Sequence, residues 1–177
     1  KELKNQVVLS AGNILREMCS KDEYKHLKPI LDSGGLVATD LICEILVKKA
    51  EEYNYNIFID GFPRTIEQAI MIKDFMNKNN ISCKGIFVVE VPEFLLYERT
   101  MTRTYCNFCY YTNNESIECC SVPMTKRNDD NFETLSKRIK IFYENIYKIL
   151  HIMEGPIYFI DNHKNINETI KNIEKYI

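Results

Sequence analysis

Three bulky apolar residues, Ile57, Phe58 and Ile59, run straight into Asp60-Gly61-Phe62-Pro63-Arg64-Thr65, with Gln68 one helical turn further on. The apolar run predicts a parallel-type strand buried on both faces. Asp60 then stands at the carboxyl end of that strand, where open α/β sheets place their ligands. Gly61 permits an unusual backbone angle, Pro63 stiffens the turn, and Arg64 offers a planar charged fork suited to phosphate. Locally, a structural strand-to-helix turn with a surface arginine explains the stretch equally well, so the rest of the chain must decide.

Similar units recur along the chain. Gln6–Ser10 reads as a short strand, followed by a Ser10–Asn13 turn and a helix from Ile14 to Met18 that carries Arg16. A second helix is expected from about Glu23 to Leu31, stopped by Gly34-Gly35. Thr39 or Asp40 should cap the next, whose Leu41, Ile42, Ile45 and Leu46 have helical spacing. An amphipathic helix follows Thr65. Gly85–Val91 is another buried-type strand, and Pro92-Glu93 opens a helix through Arg99 and Arg103. Glu133 to about Met153 forms one long helix with Leu135, Ile139, Phe142, Ile146, Ile149 and Leu150 on one face. Pro156–Asp161 is the last strand, and a final helix spans about Ile166 to Ile177. Strands alternating with helices imply an α/β fold, a three-layer parallel sheet with helices on both faces. Residues 104–126 lack a helix period and hold four clustered cysteines. A stretch that long inside a compact domain points to function or disorder.

The chain has 177 residues, enough for one domain with a full core. Its net charge of -2 suggests neither a nucleic-acid surface nor a polybasic membrane patch. No apolar run reaches membrane-spanning length, and Lys1-Glu2-Leu3-Lys4 resembles no secretory signal. Cys19, Cys43 and Cys83 read as thiols of a reducing compartment, which implies an intracellular protein, cytoplasmic or organellar. The chain does not begin with Met, and the expectation is that upstream residues exist.

The motifs Ser10-Ala11-Gly12-Asn13-Ile14-Leu15-Arg16, Gly35-Leu36-Val37, Asp60–Thr65 with Gln68, Arg99 with Arg103, Arg127-Asn128-Asp129-Asp130, and Arg138 stand in an order and spacing that resemble the long-lid adenylate kinases, members of the nucleoside monophosphate kinases. That resemblance implies a P-loop-type α/β fold with a lid insertion at 104–126. The core would comprise 1–103 and 127–177, with a monophosphate-binding region at about 11–40. It implies reversible transfer of the terminal phosphate of ATP to AMP, giving two ADP. Phosphoryl transfer needs mainly positioning and charge neutralisation, so converging arginines fit it.

By the same resemblance, Arg16 and Arg64 grip the acceptor phosphate and Gln68 reads the adenine edge. Ala11, Gly35, Leu36, Val37, Gly61, Phe62 and Pro63 line the AMP pocket. Arg99 lies against the donor base, and Lys164 meets the donor adenine through its backbone. Arg103, Arg127 and Arg138 gather on the phosphates, and Asp60 orients water around Mg2+. The partners implied are ATP and AMP, with no nucleic acid and no membrane, in a monomer.

Three departures qualify this. The family's opening strand and its G-x-x-x-x-G-K-[ST] loop do not occur in residues 1–177. Its first, central strand would lie between the strands ending at Asp60 and Val91, so a gap in the sheet is expected there. A chain truly lacking that loop should bind donor poorly, and a non-catalytic nucleotide-binding relative is the rival reading. Ala11 stands where adenylate kinases usually have Thr, as in UMP/CMP kinases, whereas Thr65, Gln68 and the long lid favour AMP. Asn13 replaces a usual Asp. In the lid, Cys106-x-x-Cys109 is half of a zinc knuckle, and Cys119 and Cys120 are the available second half. Adjacent side chains diverge, so two neighbouring ligands should strain the site. Structural Zn2+ on Cys106, Cys109, Cys119 and Cys120, or four free thiols, are both open.

Overall fold

A computed structural model describes residues 7–113, 118–163 and 166–176. The first strand, β1 (Val7–Ser10), runs directly into helix α1 (Ala11–Met18). The helix therefore starts at Ala11, without the turn expected through Asn13. A 3-10 segment, Asp22–Leu27, leads to the short helix α2 (Lys28–Asp32) in place of one continuous helix. Pro29 accounts for the break, because its ring fits only the first turn of an α-helix. Gly34 follows with φ of +71°, and a Cβ there would meet Thr134 Cγ2 at 2.6 Å, so no larger residue fits. Helix α3 (Thr39–Glu51) begins after Ala38, with no side-chain cap from Thr39 or Asp40. The Thr39 hydroxyl instead donates to Glu67 Oε2 at 2.8 Å.

Strand β2 (Ile57–Asp60), helix α4 (Ile66–Lys78), strand β3 (Ile86–Glu90) and helix α5 (Glu93–Thr102) follow. Among the described residues between 104 and 123 lie four two-residue strands, β4 (Thr104–Tyr105), β5 (Thr112–Asn113), β6 (Glu118–Cys119) and β7 (Val122–Pro123), paired antiparallel as β4–β5 and β6–β7. The long helix α6 (Phe132–Ile152), strand β8 (Ile157–Asp161) and helix α7 (Ile166–Glu174) complete the order.

The parallel sheet appears as two ribbons. β1 pairs with β2 in a register that sets Ser10 beside Asp60, and β3 pairs with β8, setting Glu90 beside Asp161. Among the described residues no strand joins β2 to β3, in keeping with the expected gap. The Phe58 and Phe87 rings meet across it, with centroids 6.2 Å apart. The open edge also corrects the expectation that β2 is buried on both faces: Ile57, Phe58 and Ile59 are each half-buried.

The main core lies under the first ribbon, where Leu9, Leu15, Leu27, Val37, Ile42, Leu46 and Ala50 are all buried. Burying such side chains contributes roughly 1.5–3 kcal/mol each. On α6, Leu135, Ile149 and Leu150 are buried, but Phe142 is 43% exposed, so the apolar stripe is narrower than its spacing suggests. No helix among the described residues is long and apolar enough to cross a membrane.

Candidate functional site

The β1–β2 register explains how the site is assembled. Because Ser10 and Asp60 are paired, the segments leaving the two strands emerge side by side. α1 brings Arg16 from one of them, and the Gly61–Thr65 turn brings Arg64 from the other. Gly61 has φ of +73°, a conformation other residues resist, and the Phe62–Pro63 peptide is cis. Arg64 Nε donates to Gly61 O at 2.7 Å, folding the side chain back over its own turn. A Cβ on Gly61 would come within 2.8 Å of the guanidinium.

Thr65 caps α4 by accepting from the Gln68 backbone N–H at 3.2 Å. Gln68, 3% exposed, accepts the Arg64 N–H on Oε1 at 2.8 Å. Among the described residues its amide nitrogen has no hydrogen-bond partner.

These residues line a cavity of about 360 Å³, within the ordinary range for a small-ligand site. Ala11, Arg16, Gly35, Leu36, Val37, Gly61, Phe62, Arg64 and Gln68, expected at the acceptor, are all in its wall. So are Asp60, Arg103, Arg127 and Arg138, expected at the transferred phosphate. Pro63 is not; it shapes the turn beside the cavity. Arg99 lies elsewhere, its Nη2 donating to His163 O at 3.5 Å. Lys164 lies outside the described residues.

Five guanidinium groups around one cavity repel each other, and two carboxylates pair with three of them. Asp129, 4% exposed, accepts from Arg138 Nη2 at 2.5 Å and from Arg16 Nη2 at 3.1 Å. Asp130 takes Arg103 through both carboxylate oxygens, at 2.9 and 2.5 Å. Burial alone would raise the Asp129 carboxyl, but Arg138 and then Arg16 outweigh it and hold it below the usual range. The hydrogen bond to Asp130 raises Arg103. Arg64 is lowered by burial and by Arg138, and Arg127 is lowered to about 10 by burial together with Arg16 and Arg103. Arg127 Nε and Arg138 Nε are buried with no partner among the described residues. Buried unpaired donors are costly, and an anion supplying acceptor oxygens would satisfy them.

The motif Arg127-Asn128-Asp129-Asp130 pointed to the region, but the two aspartates were not among the expected site residues. Their signal was present in the adjacent acids beside an arginine. Tyr110 and Thr112, also in the cavity wall, carried no signal in the sequence reading.

The four clustered cysteines, Cys106, Cys109, Cys119 and Cys120, come together, with all Sγ atoms within 4.8 Å of one another. Cys109 and Cys119 Sγ are 3.6 Å apart, and Cys119 and Cys120 Sγ 3.8 Å. A tetrahedral zinc with about 2.3 Å bonds needs edges of about 3.8 Å, so the cluster suits it. The neighbouring pair converges because Cys120 and Ser121 adopt φ of +52° and +57°. That left-handed step is the local strain expected of adjacent ligands. Cys109 is lowered to about 7, chiefly by a backbone hydrogen bond from Tyr111, whereas Cys119 is raised to about 12 by its hydrogen bond with Cys109.

Arginines converging on one cavity at the carboxyl ends of parallel strands, two of them with buried unpartnered donors, define a nucleotide-handling α/β protein of the phosphoryl-transfer class. The adenylate kinase family model matches residues 2–155. Adenylate kinase of Thermotoga petrophila is 28% identical, with 96% of this chain and 84% of that protein covered. The Mesomycoplasma hyopneumoniae adenylate kinase is 27% identical over 97% of this chain and 86% of its own. Adenylate kinase 2 of Schistosoma mansoni is 27% identical over 96% and 77%. This chain belongs to the adenylate kinase family, and it is a phosphotransferase of the nucleoside monophosphate kinase type.

Proposed function

We propose that the protein transfers the terminal phosphate of ATP to AMP, reversibly, giving two ADP. The observation that carries this is the cavity itself, lined by Arg16, Arg64 and Gln68 together with Arg127 and Arg138, each of which keeps a buried unpartnered guanidinium nitrogen. Arg16 and Arg64 bind the acceptor phosphate. Gln68 donates to adenine N1 and keeps a lone pair on Oε1 for the exocyclic amine. Ala11, Gly35, Leu36, Val37, Gly61, Phe62 and Pro63 shape the acceptor pocket. Arg103, Arg127 and Arg138 neutralise the charge of the phosphate in transit, and Asp129 and Asp130 keep them aimed. Arg99 and Lys164 serve the donor base.

Asp60, exposed at the strand end and lining the cavity, is suited to the water shell of Mg2+, which usually keeps several waters and few protein ligands. The metal supplies charge screening on the nucleotide phosphates. Residues 104–126 act as a lid, shaped by Zn2+ on Cys106, Cys109, Cys119 and Cys120; the edge distances support that metal. Zinc there organises the lid and takes no part in transfer.

The test is turnover of wild type and Arg64→Ala with ATP and AMP, UMP or CMP as acceptor. Expected is activity with AMP and its loss, by about a thousandfold or more, in Arg64→Ala with the melting temperature little changed. Near-normal turnover of the variant sinks the phosphate role. Activity with UMP or CMP but not AMP reassigns the acceptor, as Ala11 would favour.

A further inference from the structure

Tyr110 belongs to none of the recognised motifs, yet it sits in the wall of the cavity. It follows Cys109 with φ of +60°. Bulky side chains rarely adopt that conformation, which glycine takes without strain. The turn is nevertheless tightly made. The Tyr110 N–H donates to Cys106 O at 2.9 Å, and the Cys106 N–H donates to Tyr111 O at 2.8 Å. Cys106 itself is fully buried, at 0% exposure. An outlier backbone held by its surroundings next to a ligand cavity points to use there.

Tyr110 and Arg16 of α1 line the same cavity, so the cysteine turn and the α1 wall contribute to one site. A phenol O–H in a cavity lined by guanidinium groups offers a neutral donor to an anion already gripped by charge.

We propose that Tyr110 is a binding residue for the acceptor nucleoside monophosphate, its hydroxyl donating to the phosphate held by Arg16 and its place set by the Cys106–Cys109 turn. The cysteine cluster thereby reports its own integrity to the acceptor site. This rests on the acceptor reading above.

Calorimetric titration of AMP into wild type, Tyr110→Gly, Tyr110→Phe and Arg64→Ala tests it, with metal content and ligand-free melting temperature measured for each. Tyr110→Gly should weaken AMP binding about tenfold, as loss of a hydrogen bond to a charged group does. Its melting temperature should stay level or rise, because glycine relieves the left-handed turn, and a merely structural role predicts a fall. Tyr110→Phe keeps the ring and should lose at least about threefold. A glycine variant within twofold of wild type overturns the proposal, as does a Phe variant of wild-type affinity. A wild type binding neither AMP nor UMP fails the acceptor reading itself. Wild-type binding lost in Arg64→Ala but kept in both Tyr110 variants fails this proposal alone.

Discussion

The arginine cavity and the cysteine cluster are both gatherings of like groups, and they differ in what balances them. Three of the five guanidinium groups, those of Arg16, Arg103 and Arg138, are paired with Asp129 and Asp130, which follow Arg127 closely in sequence. The chain therefore holds these arginines at the cavity with its own carboxylates. The four thiols are joined by contacts among themselves, Cys109 with Cys119 and Cys119 with Cys120. Protonated, they are a weakly joined cluster; ionised, they require a cation. One site carries ion pairs of the chain's own, whereas the other would take its counter-charge from the zinc proposed above.

The largest effect should come from breaking the second of these. Adding zinc to metal-free protein should raise the melting temperature by about 10 °C, the shift that a ligand at a thousandfold its dissociation constant gives a domain of this size. A chelator should reverse it, and Cys106→Ser should abolish it. Scanning calorimetry with no zinc-dependent shift would put the cluster down as four free thiols.

Asp129→Asn removes the counter-charge in the first. It should destabilise by about 2 kcal/mol, less than a fully buried pair because Arg16 and Arg138 are partly exposed. The Asp129 carboxyl is held low in the folded state, so its stabilisation is complete above the unfolded value of about 4 and disappears as pH falls through the lower folded value. The Asn variant should accordingly show a flatter loss of stability below about pH 4. Parallel acid limbs in denaturant titrations of the two proteins would remove Asp129 from this role.

The smallest effect sharpens the arginine side of the comparison. Thr65→Ala deletes the cap that fixes the first turn of α4, at a cost of about 1 kcal/mol. Because Gln68 is held by that turn, AMP affinity should fall a few-fold as well. A change in stability without a change in affinity would show that Gln68 is positioned by its own bond to Arg64.

The contrast also marks what could be read in the sequence. Strand ends, the Asp60–Thr65 turn and most pocket residues were legible because apolar runs and turn residues are local signals. The open edge between β2 and β3 was expected because the family's opening strand and phosphate loop have no matching motif in the sequence. Pairing across distance was not legible: nothing local says that Asp129 takes Arg16 and Arg138 together. Nor was the left-handed step at Cys120 and Ser121, since neither is glycine, and without it adjacent cysteines should point apart. The split at Pro29 was missed because the surrounding residues have ordinary helix propensity. Thr39 was misread as a cap because its hydroxyl is engaged by Glu67 instead.

The aromatic ladder of the second ribbon has an optical consequence. Phe87 stacks on Tyr158 with centroids 5.2 Å apart, and Tyr158 on Tyr176 at 4.2 Å. The chain contains no tryptophan, so tyrosine dominates its near-ultraviolet dichroism and its emission. The Tyr158–Tyr176 pair joins β8 to the segment just beyond α7, and exciton coupling between the two rings makes the seating of that last helix visible without any attached dye.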